Sequence, residues 1–110
     1  MTEDSFAQHP VLGQLVQTET PQVWARAIDA DILVTERRLA IATRERFMLN
    51  VPISDLRRIQ FDIERSRPAT MVVVPERADH EPQVLAIAPE EFDSVAKALA
   101  VIGRRLAAGD

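Results

Sequence analysis

Apolar and polar positions alternate with a period of two through the middle of the chain. Leu39, Ile41 and Thr43 share one parity and Arg38, Ala40, Ala42 and Arg44 the other, the pattern of a strand buried on one face. Phe47, Leu49, Val51 and Ile53 repeat it, and Ile59, Phe61 and Ile63 do so against Arg58, Gln60, Asp62 and Glu64. One-sided strands in series predict an antiparallel meander, because parallel strands covered by helices on both faces would be apolar at nearly every position. The joint Thr43-Arg44-Glu45-Arg46 is too short for a helical crossover and predicts a hairpin.

The flanks extend the series. Residues 1–8 read as a polar arm. From Pro10, the order Val11, Leu12, Leu15, Val16 suits one face of a helix of at most two turns, with Gly13 weakening it. So short a helix is not stable alone and must dock, on its own domain or on another copy. Residues 22–28 read as the first strand with two open parities. Either Trp24 and Ile28 face the core, or Val23, Ala25 and Ala27 do and the tryptophan is exposed. Asp29-Ala30-Asp31 and Glu36-Arg37 are turns around the strand 32–35, and Ser54-Asp55 is a polar corner. After the loop 65–68, the β-branched run 70–75 predicts a strand buried on both faces or lying under a helix. A polar loop then leads to a last strand, 83–88. Pro89, Glu90 and Glu91 open a helix whose far end carries Arg104 and Arg105, as the helix dipole favours, with Gly109 as its stop. Phe92, Val95, Ala96, Leu99, Ile102 and Leu106 form its apolar stripe, and Gly103 beside them suggests close approach to the sheet.

Composition narrows the class. A chain of 110 residues, 46% hydrophobic and 27% charged, fits one globular domain with one core. The absence of cysteine excludes disulfides and thiolate metal sites and agrees with a cytoplasmic setting. The first ten residues carry acids where a secretory signal carries bases, and no apolar run approaches the ~20 residues of a membrane span, which predicts an untargeted soluble protein. Twelve Arg against one Lys suggests a high-GC bacterial coding sequence. The net charge of −4 hides an asymmetry: residues 37–67 hold eight Arg and four acids, while the rest of the chain is acidic.

Two stretches carry a family pattern. Asp31-Ile32-Leu33-Val34-Thr35-Glu36-Arg37-Arg38-Leu39-Ala40-Ile41, followed by Val51-Pro52-Ile53-Ser54-Asp55-Leu56-Arg57-Arg58-Ile59, resembles the strand pairs of bacterial PH-like and GRAM-like domains. The resemblance implies an α+β, mainly β fold: a bent, seven-stranded antiparallel barrel over residues 22–108, capped by the C-terminal amphipathic helix and preceded by the arm and short helix of residues 1–21. It also implies a binding module. The basic signature by which some such domains hold phosphoinositides has no counterpart here, since the loop in question is Asp29-Ala30-Asp31.

Candidate chemistry is sparse. His9 and His80 are the only histidines, and both fall in stretches expected to be exposed. Asp79-His80-Glu81 lacks further ligands at metal-binding spacing, and the three glycines are too scattered for a phosphate-cradling loop. The expectation is therefore a non-enzyme without cofactor, metal or nucleic acid. It would act as a protein-binding or scaffolding module, with self-association into a homo-oligomer as one form. The candidate partner-binding residues are Val11, Leu12, Leu15, Val16 and Trp24. Arg44, Arg46, Arg57 and Arg58 are candidates for an anionic ligand. The alternative is weak peripheral contact with anionic lipids, for which the hairpin tip Arg44 to Met48 offers bases beside apolar groups.

Overall fold

The computed structural model describes residues 8–65 and 67–108. Residues 1–7 of the arm expected at 1–8, Ser66 of the loop 65–68 and the stop expected at Gly109 lie outside the described residues. Among the described residues a one-turn helix, α1 (Gly13–Val16), precedes seven strands: β1 (Pro21–Arg26), β2 (Asp31–Thr35), β3 (Arg38–Ala42), β4 (Phe47–Pro52), β5 (Leu56–Asp62), β6 (Ala69–Pro75) and β7 (Gln83–Ile87). A 3₁₀ turn, Pro89–Glu91, opens α2 (Phe92–Ala107).

All pairings are antiparallel, and the fold is α+β, mostly β. The strands form two sheets, in the orders β1-β2-β3-β4 and β5-β6-β7, where the resemblance to PH-like domains implies one closed barrel. The break falls at Pro52 and the 3₁₀ turn Ile53–Asp55, because proline cannot donate to a ladder and the turn redirects the chain. Two bonds tie β7 to the first sheet. Ile28 N–H, just past β1, donates to the Ala86 carbonyl at 2.8 Å, and the Gln83 amide donates to the Met48 carbonyl on β4 at 3.4 Å.

The main core lies between the two sheets and α2. It contains Ile32, Val34, Leu39, Ile41, Leu49, Val51, Met71, Val73, Ile87, Val95 and Ile102, all buried. Phe61 and Phe92 meet edge to face, 5.6 Å between centroids. On α2 the buried side chains are Val95, Ala98 and Ile102, with Phe92 and Leu99 half-buried. Ala96 and Leu106 of the expected stripe are exposed, so the buried face is turned toward Ala98. Gly103 is exposed, and a Cβ there would meet nothing within 4 Å; the expected close approach to the sheet does not occur.

The first sheet is covered on its other face too. Leu33, Ala40 and Ala42 are fully buried there beneath Val11 and Leu12, with Leu15, Val16, Trp24 and Phe47 packed around them. The alternation suggests a polar outer face because alanine reads as neutral. In three dimensions Ala40 and Ala42 are small enough to admit Leu12, which is fully buried. Phe47 joins this cluster although it shares sequence parity with Leu49 and Val51. A bulge pairs Ile41 with Leu49 but Ala42 with Phe47, and the extra residue, Met48, flips Phe47 to the opposite face.

The second sheet is different. β6 alternates strictly, Ala69, Met71, Val73 and Pro75 buried and Thr70, Val72 and Val74 half-buried. Neither Val72 nor Val74 belongs to the core clusters. The cover expected over the β-branched run is therefore missing from its outer side among the described residues.

Candidate functional site

The first candidate surface, the apolar N-terminal segment, is turned onto its own domain. His9 directs this. It is 5% exposed, against the expectation of exposure, and its Nδ1 accepts the backbone N–H groups of Val11 at 3.1 Å and Leu12 at 3.0 Å. A ring nitrogen accepting two donors carries no proton, so Nε2 holds it and donates to Asp31 Oδ2 at 3.0 Å. The imidazole thus caps the start of the helical segment and pins it to the head of β2. Asp31 also faces Arg26 Nε at 3.5 Å. At the other end of the segment, Glu19 accepts from Thr35 Oγ1 at 2.6 Å and from Arg38 Nε at 2.8 Å. Thr35 Oγ1 in turn accepts Arg37 and Arg38 N–H at the β2–β3 turn, and Arg38 reaches Asn50 Oδ1 at 3.3 Å.

The five residues singled out for partner binding are therefore engaged internally. Val11 and Leu12 are buried, and Leu15, Val16 and Trp24 are half-buried around Leu33. Of the two parities open for β1, Val23, Ala25 and Ala27 face the main core. Trp24 faces the second cluster, half-covered instead of exposed.

The four arginines proposed for an anionic ligand lie in two separate places. Arg44 and Arg46 are at the β3–β4 tip, where Thr43 Oγ1 accepts the N–H groups of Glu45 and Arg46, each at 3.2 Å. Arg44 shares a depression of about 220 Å³ with Arg26, Asp29 and Asp31, so acids and bases balance there. Arg57 and Arg58 open β5, beyond the opposite end of β4. A bulge between Leu56 and Arg58 leaves Arg57 out of the ladder, and both residues border a depression of about 330 Å³ with Val74. Of the arginines in residues 37–67, Arg38 pairs with Glu19 and Arg67 with Glu64. Among the described residues Arg44, Arg46, Arg57 and Arg58 form no ion pair.

In the polar loop before β7, Arg77 Nε and a terminal nitrogen donate to Asp79 at 3.3 and 3.4 Å. These bonds hold the Asp79 carboxyl below its ordinary value, with desolvation opposing them and the Arg77 charge assisting. Around His80, as elsewhere among the described residues, no group of three or more potential metal ligands occurs. No helix among them is long and apolar enough to cross a membrane.

One surface was missed by sequence reasoning. The outer face of the second sheet carries Thr70, Val72 and Val74 on β6 with Val84 and Ala86 on β7. Val84 is 69% exposed, and Ile28, beside Ala86, is 56% exposed. A usable signal is present: Val84 and Ala86 alternate against Gln83, Leu85 and Ile87, so an apolar pair has to fall on the outer face. No family profile matches the chain, and no curated protein matches it either.

Proposed function

We propose that this chain is a small, non-catalytic binding module of PH-like architecture, and that it works by protein–protein interaction in the cytoplasm. In this reading the two sheets are halves of one bent barrel. The ties from β7 to Ile28 and Met48 and the packing of α2 against β1 and the main core support that arrangement. The observation that carries the function is the contrast between the sheets. The first is covered on both faces by its own chain, whereas on the second the half-buried Val72 and Val74 and the exposed Val84 adjoin one another on a face that no other element covers among the described residues. Uncovered β-branched residues on a central strand and its neighbour are costly in water unless a partner covers them.

A photo-crosslinking amino acid in place of Val84 tests this, with the same group in place of Lys97, an exposed position on α2, as control. Discrete protein adducts from position 84 and none from position 97 in cells expressing the chain are the expected result. Identical patterns from the two positions would remove the proposal.

A second reading, weak contact with anionic lipid, is favoured by the β3–β4 tip, where Met48 is 37% exposed beside the unpaired Arg44 and Arg46. The bulge weakens it by turning Phe47 inward. Pelleting with anionic vesicles that salt and Arg44→Glu/Arg46→Glu both abolish would support it; no pelleting at low salt would end it.

A further inference from the structure

The outer face of the second sheet has an internal symmetry of charge. Its registers place Gln60, Val72 and Val84 in one transverse row. On one side of that row lie Asp62, Thr70 and Ala86, and on the other Arg58 and Val74. Along β5 the outer positions thus read positive, neutral, negative around Gln60, next to an apolar centre. Arg58 and Asp62 are exposed and stand four residues apart on one strand, ~13 Å at ~3.3 Å per residue, too far to pair with each other. Among the described residues neither forms an ion pair. Asp62 is held by the Gln60 amide at 2.8 Å, which directs its carboxylate along the same face.

From this we infer that the occupant of the face is a second copy of this chain, docked about a two-fold axis along the Gln60–Val72–Val84 row. The inference rests on the protein-binding reading above and names its partner. Such an axis reverses the strand direction. It lays Val72 on Val72 and Val84 on Val84 of the other copy, sets Val74 against Thr70, and brings Arg58 over Asp62 twice. That is the self-complementarity an isologous contact requires. Aligned sheet-on-sheet packing, with faces ~10 Å apart, keeps the strands within ~30° of this arrangement. The patch is about 15 Å by 20 Å from strand and residue spacings, so the contact falls in the small, transient class. It assembles in the micromolar-to-millimolar range rather than permanently.

Sedimentation velocity of the full chain from about 10 μM to about 1 mM, at low and moderate salt, reads this directly. The expected result is a reversible monomer–dimer equilibrium. Arg58→Asp and Asp62→Arg, each placing like charges opposite one another twice, raise the dimer dissociation constant by about tenfold or more. An equimolar mixture of these two variants recovers association as a heterodimer, and the double variant Arg58→Asp/Asp62→Arg recovers it as a homodimer. Val84→Lys abolishes it in every background. The circular dichroism of each variant, all at exposed positions, matches the parent. Failure of the mixture to recover association overturns the two-fold arrangement. A chain monomeric over the whole range whose position-84 crosslinker captures other proteins overturns the second copy and leaves the module reading intact. A monomer with no adducts removes both.

Discussion

Replacing His9 separates the cap from the pin in the N-terminal segment. His9→Ala leaves the Val11 and Leu12 N–H groups without their acceptor in a buried site and deprives Asp31 of a donor. Loss of a helix cap costs up to about 2 kcal/mol, and a buried donor left without its partner about 1 to 3 kcal/mol. The two overlap, since they describe the same bonds, and a total of about 2 to 3 kcal/mol follows. With an unfolding entropy near 2.1 cal/mol/K per residue, the 110 residues give about 0.23 kcal/mol/K, so Tm falls by roughly 9 to 13 °C. His9→Asn puts a carboxamide oxygen where Nδ1 stands and keeps the cap, at a cost of about 1 kcal/mol for the lost Asp31 bond. His9→Gln keeps a donor near the Nε2 position and loses the cap, so it falls between Ala and Asn. Thermal unfolding followed by circular dichroism measures the order. Trp24, the only tryptophan and packed in the cluster beneath the segment, reports undocking of the folded state by a red-shifted emission. Gln better tolerated than Asn, or an Ala variant within about 2 °C of the parent, would refute the capping role.

Two further outcomes follow from single positions. Gly103→Ala stabilises by about 0.5 to 1 kcal/mol, because the residue lies inside α2 with open space around its Cβ and alanine restricts the unfolded chain; urea unfolding should show a higher midpoint with an unchanged slope. Asp79 titrates below its ordinary range because Arg77 donates to its charged form, so the contact is present above that range and is lost as pH falls through the lowered value. Carboxyl chemical shifts should move the Asp79 midpoint upward in Arg77→Ala, and an unmoved midpoint would show that Arg77 is not the cause.

The arginines between residues 37 and 67 illustrate how sign and position differ in what they decide. Their number makes the segment basic, but no single basic face results. Arg38 is tied down by Glu19 on the outer side of the first sheet, Arg44 shares its depression with Asp29 and Asp31, and Arg58 stands beside valines on the second sheet. Summed charge along a chain predicts attraction only when folding gathers the charges, and here two sheets and two bulges disperse them.

Much of the element series is legible in the amino-acid order alone. Period-two alternation locates β3, β4 and β5, turn chemistry locates the joints at Glu36-Arg37 and around Thr43, and Pro89 with its following acids locates the start of the last helix. These are local properties, set by backbone geometry and by side chains within a few residues, so they survive any change of partner. What packs on what is not local. The chain could not announce that Ala40 and Ala42 make room for Leu12, that one extra residue at Met48 carries Phe47 across the sheet, or that a buried His9 clasps the segment to Asp31. Each of these joins residues distant in sequence or depends on a one-residue slip of register, and only the assembled sheets decide such matters. The uncovered valine face belongs with them: its members are visible as a pattern, but whether another element of the chain lies over them depends on the folded whole.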